Sequence, residues 1–489
     1  MQNTPNKWNR LLNDRRRKKD ATSVAGEVQN SNKNESRTEI ERDYDRILFS
    51  TPVRRLADKT QVFPLDKNDS VRTRLTHSHE VSNLARSIGT ALIYDRQIQT
   101  GHVSAARDVP AILATVGLLH DLGNPPFGHQ GEAAIQSWFV ENSDSVLGCL
   151  ETEQQRQDFL KFEGNAQAFR LVTRLQLIND DFGLDLTYAS LAAMMKYPTA
   201  SDQTDSSHVA KKKHGFFASE EHVVKQVHSE TGLSLGQRHP LTYVMEACDD
   251  IAYVVLDAED AVKKGLASFS DLLAYLEMKS ADDPVVKKLI EDSKAKHKEY
   301  RNISGRLSPS ELNDVSMQRF RVYAIGQMVK SSVDAFMTHN EQLVSGTLEK
   351  PLLAVSDCEN LRKQLKDFSV THAYNHRSVL EIELTGFNVI RELMDIFWMA
   401  IIDREKQFQL DSKRQHPFTR YVYSRISENY RRIFENPTPN DRKFGIRYRE
   451  CLLLTDMISG MTDSYALNLH ADLLSRKGSF DCKNFARGS

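Results

Sequence analysis

Cysteine is scarce: five in 489 residues (Cys149, Cys248, Cys358, Cys451, Cys482), none closely spaced. That excludes a disulfide scaffold and zinc-ribbon spacing. Long apolar runs are also missing. Ala111–Leu119 and Ile396–Ile402 are the longest stretches, well short of the roughly 18 residues a membrane span needs. No apolar core follows the early positive charges, so no secretory signal is expected and the cytoplasm is the expected compartment. Excess charge of one sign is absent too. Sixty-five Lys and Arg against 66 Asp and Glu leave a net charge of −1, which argues against a nucleic-acid-coating surface over the whole chain while permitting local patches. Gly (22) and Pro (14) are modest for the length. No G-x-x-x-x-G-K-[ST] loop occurs, which disfavours kinase-like or ATPase chemistry.

What is present is a soluble-protein composition, 40% hydrophobic and 27% charged, with apolar residues recurring three and four apart rather than alternating. The chain reads as all-α, and its length suggests two or three folding units. Residues 1–40 are polar, with the run Arg15-Arg16-Arg17-Lys18-Lys19, and are expected to be a flexible basic arm, either solvated or touching phosphate or nucleic acid. Val81, Leu84, Ala85, Ile88 and Leu92 mark one helix face. A second helix is expected from about Pro110 to His120, stopped by Gly123-Asn124-Pro125-Pro126. A third runs from about Pro240 to Lys264, burying Val244, Ala247, Ile251, Val254, Val255, Ala258 and Val262. Residues 200–214 read as a surface insertion. Residues 280–310 are a second polar stretch, with Pro284 and several lysines, and Pro437 and Pro439 mark a later loop. Residues 311–489 look helical and carry no catalytic cluster of their own. There is no internal repeat.

The chemistry-bearing feature is a scatter of His and Asp residues that several helices could gather: His77, the adjacent His120 and Asp121, and Asp249. Imidazoles with carboxylates suit a divalent ion such as Mn, Fe, Mg or Zn. His129 and Glu132, three apart after a turn, would share a helix face as a general acid/base pair. Asp249, Tyr253 and Asp257, at i, i+4 and i+8, track one side of the third helix. Each of these alone is weak; an isolated His-Asp dipeptide is more often structural.

Together the segments resemble the HD-domain deoxynucleoside triphosphate triphosphohydrolases, the dGTPase family. The matching stretches are Arg54-Arg55-Leu56 with Lys59-Thr60-Gln61-Val62-Phe63-Pro64, Arg72-Thr73-Arg74-Leu75-Thr76-His77-Ser78, and His120 through Glu132. Glu163-Gly164-Asn165-Ala166-Gln167, Lys196-Tyr197-Pro198, Met245 through Tyr253, and Ile458-Ser459-Gly460-Met461-Thr462-Asp463 follow in the family's order.

The resemblance implies an HD-domain helical core over about 41–270, and a helical region over 271–489 that completes the site and supplies oligomer interfaces. It implies metal ligands His77, His120, Asp121 and Asp249, with one divalent ion per subunit: Mn or Mg first, with Fe, Co or Zn as alternatives. It makes His129 and Glu132 the catalytic pair beside the α-phosphate. Gln61, Tyr253 and Asp257 would line the deoxyribose, Arg74, Lys196 and Tyr197 would meet the triphosphate, and Asn165 is a further substrate-side residue.

The implied reaction is hydrolysis of a deoxynucleoside triphosphate, dGTP by the family's name, to deoxynucleoside and inorganic triphosphate. Self-association into a hexamer or tetramer is implied, with single-stranded DNA or a nucleotide as possible effector. The rival readings are another HD-type nucleotide phosphohydrolase, and a nucleic-acid-binding regulatory protein with a mainly structural metal site. His79 is a departure from the family pattern. At 100° per residue it points away from His77 and cannot share its ion. Asp250 faces away from Asp249 in the same sense, and Cys248 reads as a small buried hydrophobe.

Overall fold

The structure, a computed structural model, describes residues 4–24, 36–61, 72–98, 100–176, 181–280, 282–303 and 307–478. Among these residues the protein is helical, with three isolated bridges and no strand. This bears out the all-α expectation.

Three helices place the site. The His77 helix, Arg74–Thr90, packs along the His120 helix, Ala105–Leu119, more extensively than any other pair in the described residues. Small residues let the two backbones approach. A Cβ on Gly117 would lie 2.7 Å from the Ser82 Cα, and the Ser82 hydroxyl donates to the Ala114 carbonyl at 2.7 Å. The His120 helix begins five residues before Pro110 rather than at it. Pro110 forfeits one ladder hydrogen bond in the second turn, which an otherwise buried helix tolerates.

The third helix, Pro240–Lys263, starts with Pro240 in its first turn, where no N–H is needed. His239 caps it, its Nδ1 accepting from Leu241 N at 3.1 Å. Val244, Ala247, Ile251, Val254, Val255, Ala258 and Val262 are all buried on it, as the periodicity predicts. The polar stretch near 280–310 is itself largely helical, Pro284–Ile303. The insertion at 200–214 lies mostly on the surface between buried ends.

The expected flexible arm is corrected by the structure. Residues 4–24 form two short helices docked on the body, with Trp8, Leu11 and Leu12 fully buried. Arg16 lies 2.7 Å from Glu39 and 2.7 Å from Asp43, both its head and Asp43 being buried. The Arg17 guanidinium is buried as well, over the Phe182 ring. A buried charge needs a partner, and those partners lie far along the chain, where a local reading of a basic run cannot find them. Residues 25–35 of the expected arm, and the family stretch Val62–Pro64, fall outside the described residues.

Candidate metal and phosphate site

His77 lies in the first turn of its helix, His120 at the end of the second, and Asp249 in the middle of the third. One donor atom from each falls within 4.8 Å of the others. His77 Nε2 is 3.3 Å from Asp249 Oδ1, and His120 Nε2 is 3.5 Å from the same oxygen. The His120 Nδ1 sits 2.8 Å from the Gly117 carbonyl, so this nitrogen carries the proton and donates. Its Nε2 lone pair is thereby aimed at the cluster, where it has no hydrogen-bond partner. An orphaned imidazole nitrogen, a second imidazole and a carboxylate facing one point fit a divalent cation.

Asp121 stands beside this trio, its Oδ2 3.6 Å from His120 Nε2. That oxygen accepts from Arg74 at 2.6 Å, and its Oδ1 accepts from the Asn124 amide at 2.6 Å. His79 is exposed and outside the cluster. Asp250 faces Arg362 at 3.9 Å, and Cys248 is fully buried.

The electrostatics favour positive charge at this point. Burial opposes an imidazolium at His120, yet the carboxylates of Asp121 and Asp249 outweigh it and lift His120 to about 9. Burial likewise opposes the Asp249 carboxylate, but the charges of His120 and Lys196 hold it well below the usual range. Lys196 Nζ lies 3.4 Å from Asp249 Oδ2 and 3.7 Å from Glu246. Tyr197 beside it is buried, its ring under the Arg238 guanidinium at 5.4 Å.

Next to this centre, the helix Gly128–Glu141 starts from a left-handed turn, Phe127 at φ 60° and Gly128 at φ 57°. It presents His129 outward, 87% exposed at the side chain, with Nδ1 3.2 Å from Glu132 Oε2. That hydrogen bond, with the Glu132 charge, raises the His129 pKa. Glu132 is buried, which alone would favour its neutral form, but His129 and Lys213 keep it below the usual value. Its other oxygen accepts from Gly164 N at 2.8 Å. Arg74 spans the two halves: while it holds Asp121, its Nη2 sits 2.7 Å from where a Gly128 Cβ would be. Asn165 donates to Glu163 Oε1 at 2.7 Å.

Farther along the third helix, Tyr253 stacks on Tyr374, ring centroids 5.9 Å apart, and the Tyr374 hydroxyl donates to Asp257. Burial drives the Asp257 carboxyl well above the ordinary range, and the Tyr374 hydrogen bond does not restore it. Gln61 is half-buried, with a side-chain oxygen that meets no partner.

Two residues here escaped the sequence reading. Tyr374 comes from the region judged to carry no cluster. Lys213 comes from the surface insertion and pairs with Glu163 at 2.6 Å. Neither sits in a recognisable motif; the lysine run 211–213 was the only trace of the second.

An HD domain family profile matches residues 74–195, a span that holds His77, His120 and Asp121 but not Asp249. A deoxyguanosinetriphosphate triphosphohydrolase-like protein of Listeria monocytogenes is 36% identical over 477 residues, covering 96% of this chain and 99% of that one. One of the same description from Synechocystis is 34% identical, covering 95% and 98%. A deoxyguanosinetriphosphate triphosphohydrolase of Serratia proteamaculans is 33% identical, covering 89% and 94%.

Proposed function

The chain belongs to the deoxyguanosinetriphosphate triphosphohydrolase family, and from that membership we propose that it hydrolyses deoxynucleoside triphosphates at the α-phosphorus, releasing a deoxynucleoside and inorganic triphosphate. The observation that carries this reading is the convergence of His77, His120 and Asp249 on one point, with Asp121 alongside and Arg74 reaching from Asp121 toward Gly128, where the helix bearing the His129–Glu132 pair begins.

A divalent ion at that point, manganese or magnesium in this reading, would supply Lewis-acid charge to a phosphoryl oxygen. Lys196 and Arg74 are the two cations beside the cluster. Lys196 acts as a point charge and Arg74 through its fork, offsetting the charge of a triphosphate that carries close to four negative charges. His129, with Nδ1 engaged by Glu132, keeps Nε2 as the nitrogen that takes a proton from the attacking water or gives one to the leaving 5′-oxygen. With Gln61 assigned here by the resemblance alone, the sugar side in this reading is formed by Tyr253, Tyr374 and Asp257. Their neutral, closely packed surface would leave a 2′-hydroxyl without room or a partner, which favours deoxyribose. Tyr197 on the triphosphate and Asn165 are the further substrate-side residues of this reading, the one lying under Arg238 and the other donating to Glu163.

The test incubates the purified protein with Mn²⁺ or Mg²⁺ and each of the four dNTPs, with products separated by ion exchange or read by ³¹P NMR. Deoxynucleoside with intact triphosphate is expected, dGTP being turned over fastest. Pyrophosphate or single phosphates would instead assign the chain another HD-type cleavage. Self-association as a hexamer or tetramer belongs to the same reading and is measured by light scattering. Single-stranded DNA and free nucleotides are added in turn to test for an effector.

A further inference from the structure

Lys59 lies outside the residues that face the proposed substrate, yet its ammonium is buried, 3% of the residue being exposed. Among the described residues no carboxylate forms an ion pair with it, the charge of Asp463 acting only from farther off. Nζ donates to two carbonyl oxygens instead, Asn124 O at 2.6 Å and Ser459 O at 2.8 Å. Keeping an ammonium from water against neutral acceptors is costly, so what those contacts hold in place matters.

Both residues that orient the Asp121 carboxylate hang on Lys59. Asn124, whose amide donates to Asp121 Oδ1 at 2.6 Å, has its carbonyl gripped by the Lys59 ammonium. Arg74, whose guanidinium donates to Asp121 Oδ2 at 2.6 Å, has its backbone N–H bound to the Lys59 carbonyl at 3.1 Å. Arg74 also begins the helix that carries His77.

Lys59 is anchored in turn. Its ammonium is held by Ser459 at the end of the helix Ile446–Ser459. The neighbouring Thr60 N donates to Asp463 Oδ2 at 2.9 Å, and Asp463 Oδ1 accepts from Phe127 N at 3.0 Å. One residue thus links the two chain segments that bear His77 and the His120-Asp121 pair to the C-terminal part of the protein.

We propose that Lys59 is a positioning residue whose side chain fixes the Asp121 carboxylate for cation binding through Asn124, while its main-chain carbonyl, which any residue there would supply, holds Arg74. The proposal rests on the reading of Asp121 as a metal ligand. Groups that orient a ligand from behind typically change metal affinity roughly ten- to a hundredfold when removed.

The experiment titrates Mn²⁺ by calorimetry into metal-stripped full-length wild type, Lys59→Met, Lys59→Arg, Asn124→Ala and the Lys59→Met/Asn124→Ala double variant, and records each metal-free melting temperature. Lys59→Met is expected to weaken Mn²⁺ binding roughly ten- to a hundredfold. Lys59→Arg, which keeps donors for both carbonyls, should stay within about threefold of wild type by the same reasoning. Asn124→Ala should match Lys59→Met, and the double variant should lose less than the two single effects combined, since both act along one route. Turnover lost in Lys59→Met should return as Mn²⁺ is raised.

A Lys59→Met protein that melts earlier but binds Mn²⁺ within about twofold of wild type would make Lys59 a structural strut only and overturn the proposal. If Lys59→Met does not fold, Asn124→Ala decides: unchanged Mn²⁺ affinity there overturns the route. A wild type that binds no divalent cation would remove the metal reading itself, and this proposal with it.

Discussion

Two aspartates on one helix face, Asp249 and Asp257, are pushed in opposite directions. Asp257 is cut off from water and Asp249 is partly so, its side chain 24% exposed, and burial works against both carboxylates. Asp249 is surrounded by His77, His120 and Lys196 and stays ionised. Asp257 meets the Tyr374 hydroxyl, and the Arg72 charge is too weak to compensate, so its carboxyl holds its proton. Two turns of helix separate an ionised end from a neutral one. A nucleotide has that same polarity, phosphate at one end and sugar at the other. The difference teaches that the role of a carboxylate is set by what faces it and how far water reaches it, not by its residue type.

The sharpest way to break this comparison is to neutralise each aspartate without changing its shape. Asp249→Asn should lower kcat/KM on the order of 10³-fold, because a ligand charge is lost where cationic charge is organised. Asp257→Asn replaces a carboxyl that is already neutral and should cost less than about tenfold. Equal losses in steady-state assays would mean the two ends are electrostatically alike. His129→Ala, with its imidazole outside the cation cluster, should cost roughly 10²–10⁴-fold in kcat while leaving Mn²⁺ affinity near wild type; calorimetry separates the two readouts.

Tyr374→Ala opens the sugar end only. The preference for dGTP over GTP, read as a ratio of kcat/KM values, should fall about tenfold with the dGTP rate less affected.

The smallest effect concerns the acid/base pair. Glu132 raises the His129 pKa, so the corresponding limb of the pH–rate profile should lie above the ordinary value of about 6.5 and move back toward it in Glu132→Gln. The stability linkage has a definite sign. The raised imidazole contributes fully below about 6.5 and loses its contribution as pH rises through its folded value; the depressed carboxylate contributes above about 4.3 and loses it as pH falls. Wild type should therefore exceed Glu132→Gln most between those limits, as measured by urea unfolding across pH.

The sequence alone was informative in proportion to how local the signal is. His120-Asp121 with the Gly-Asn-Pro-Pro stop, the i, i+4, i+8 spacing of Asp249, Tyr253 and Asp257, and the separation of His77 from His79 all follow from helix geometry and hold in the fold. Partners distant in the chain were not legible. Tyr374 reaches Asp257 across 117 positions, and Lys213 reaches Glu163 from a stretch whose composition reads as surface. The basic run at 15–17 misled for the same reason. Charge density near a terminus suggests solvent, and only the burial of Asp43 beside Arg16 reveals a counter-ion.

That docked terminus also bears on the order in which the protein is made. Its anchors lie about 170 to 230 residues downstream: Arg15 O accepts from Tyr188 N, Arg10 donates to the Ser229 carbonyl, and His239 Nε2 is 3.1 Å from Leu11 O. A ribosome adding roughly 5–20 residues per second needs on the order of 10–50 s to deliver those partners. This segment thus emerges well before the partners it docks on, and Trp8 with its neighbouring arginines must stay soluble, and unclaimed by other chains, through that interval.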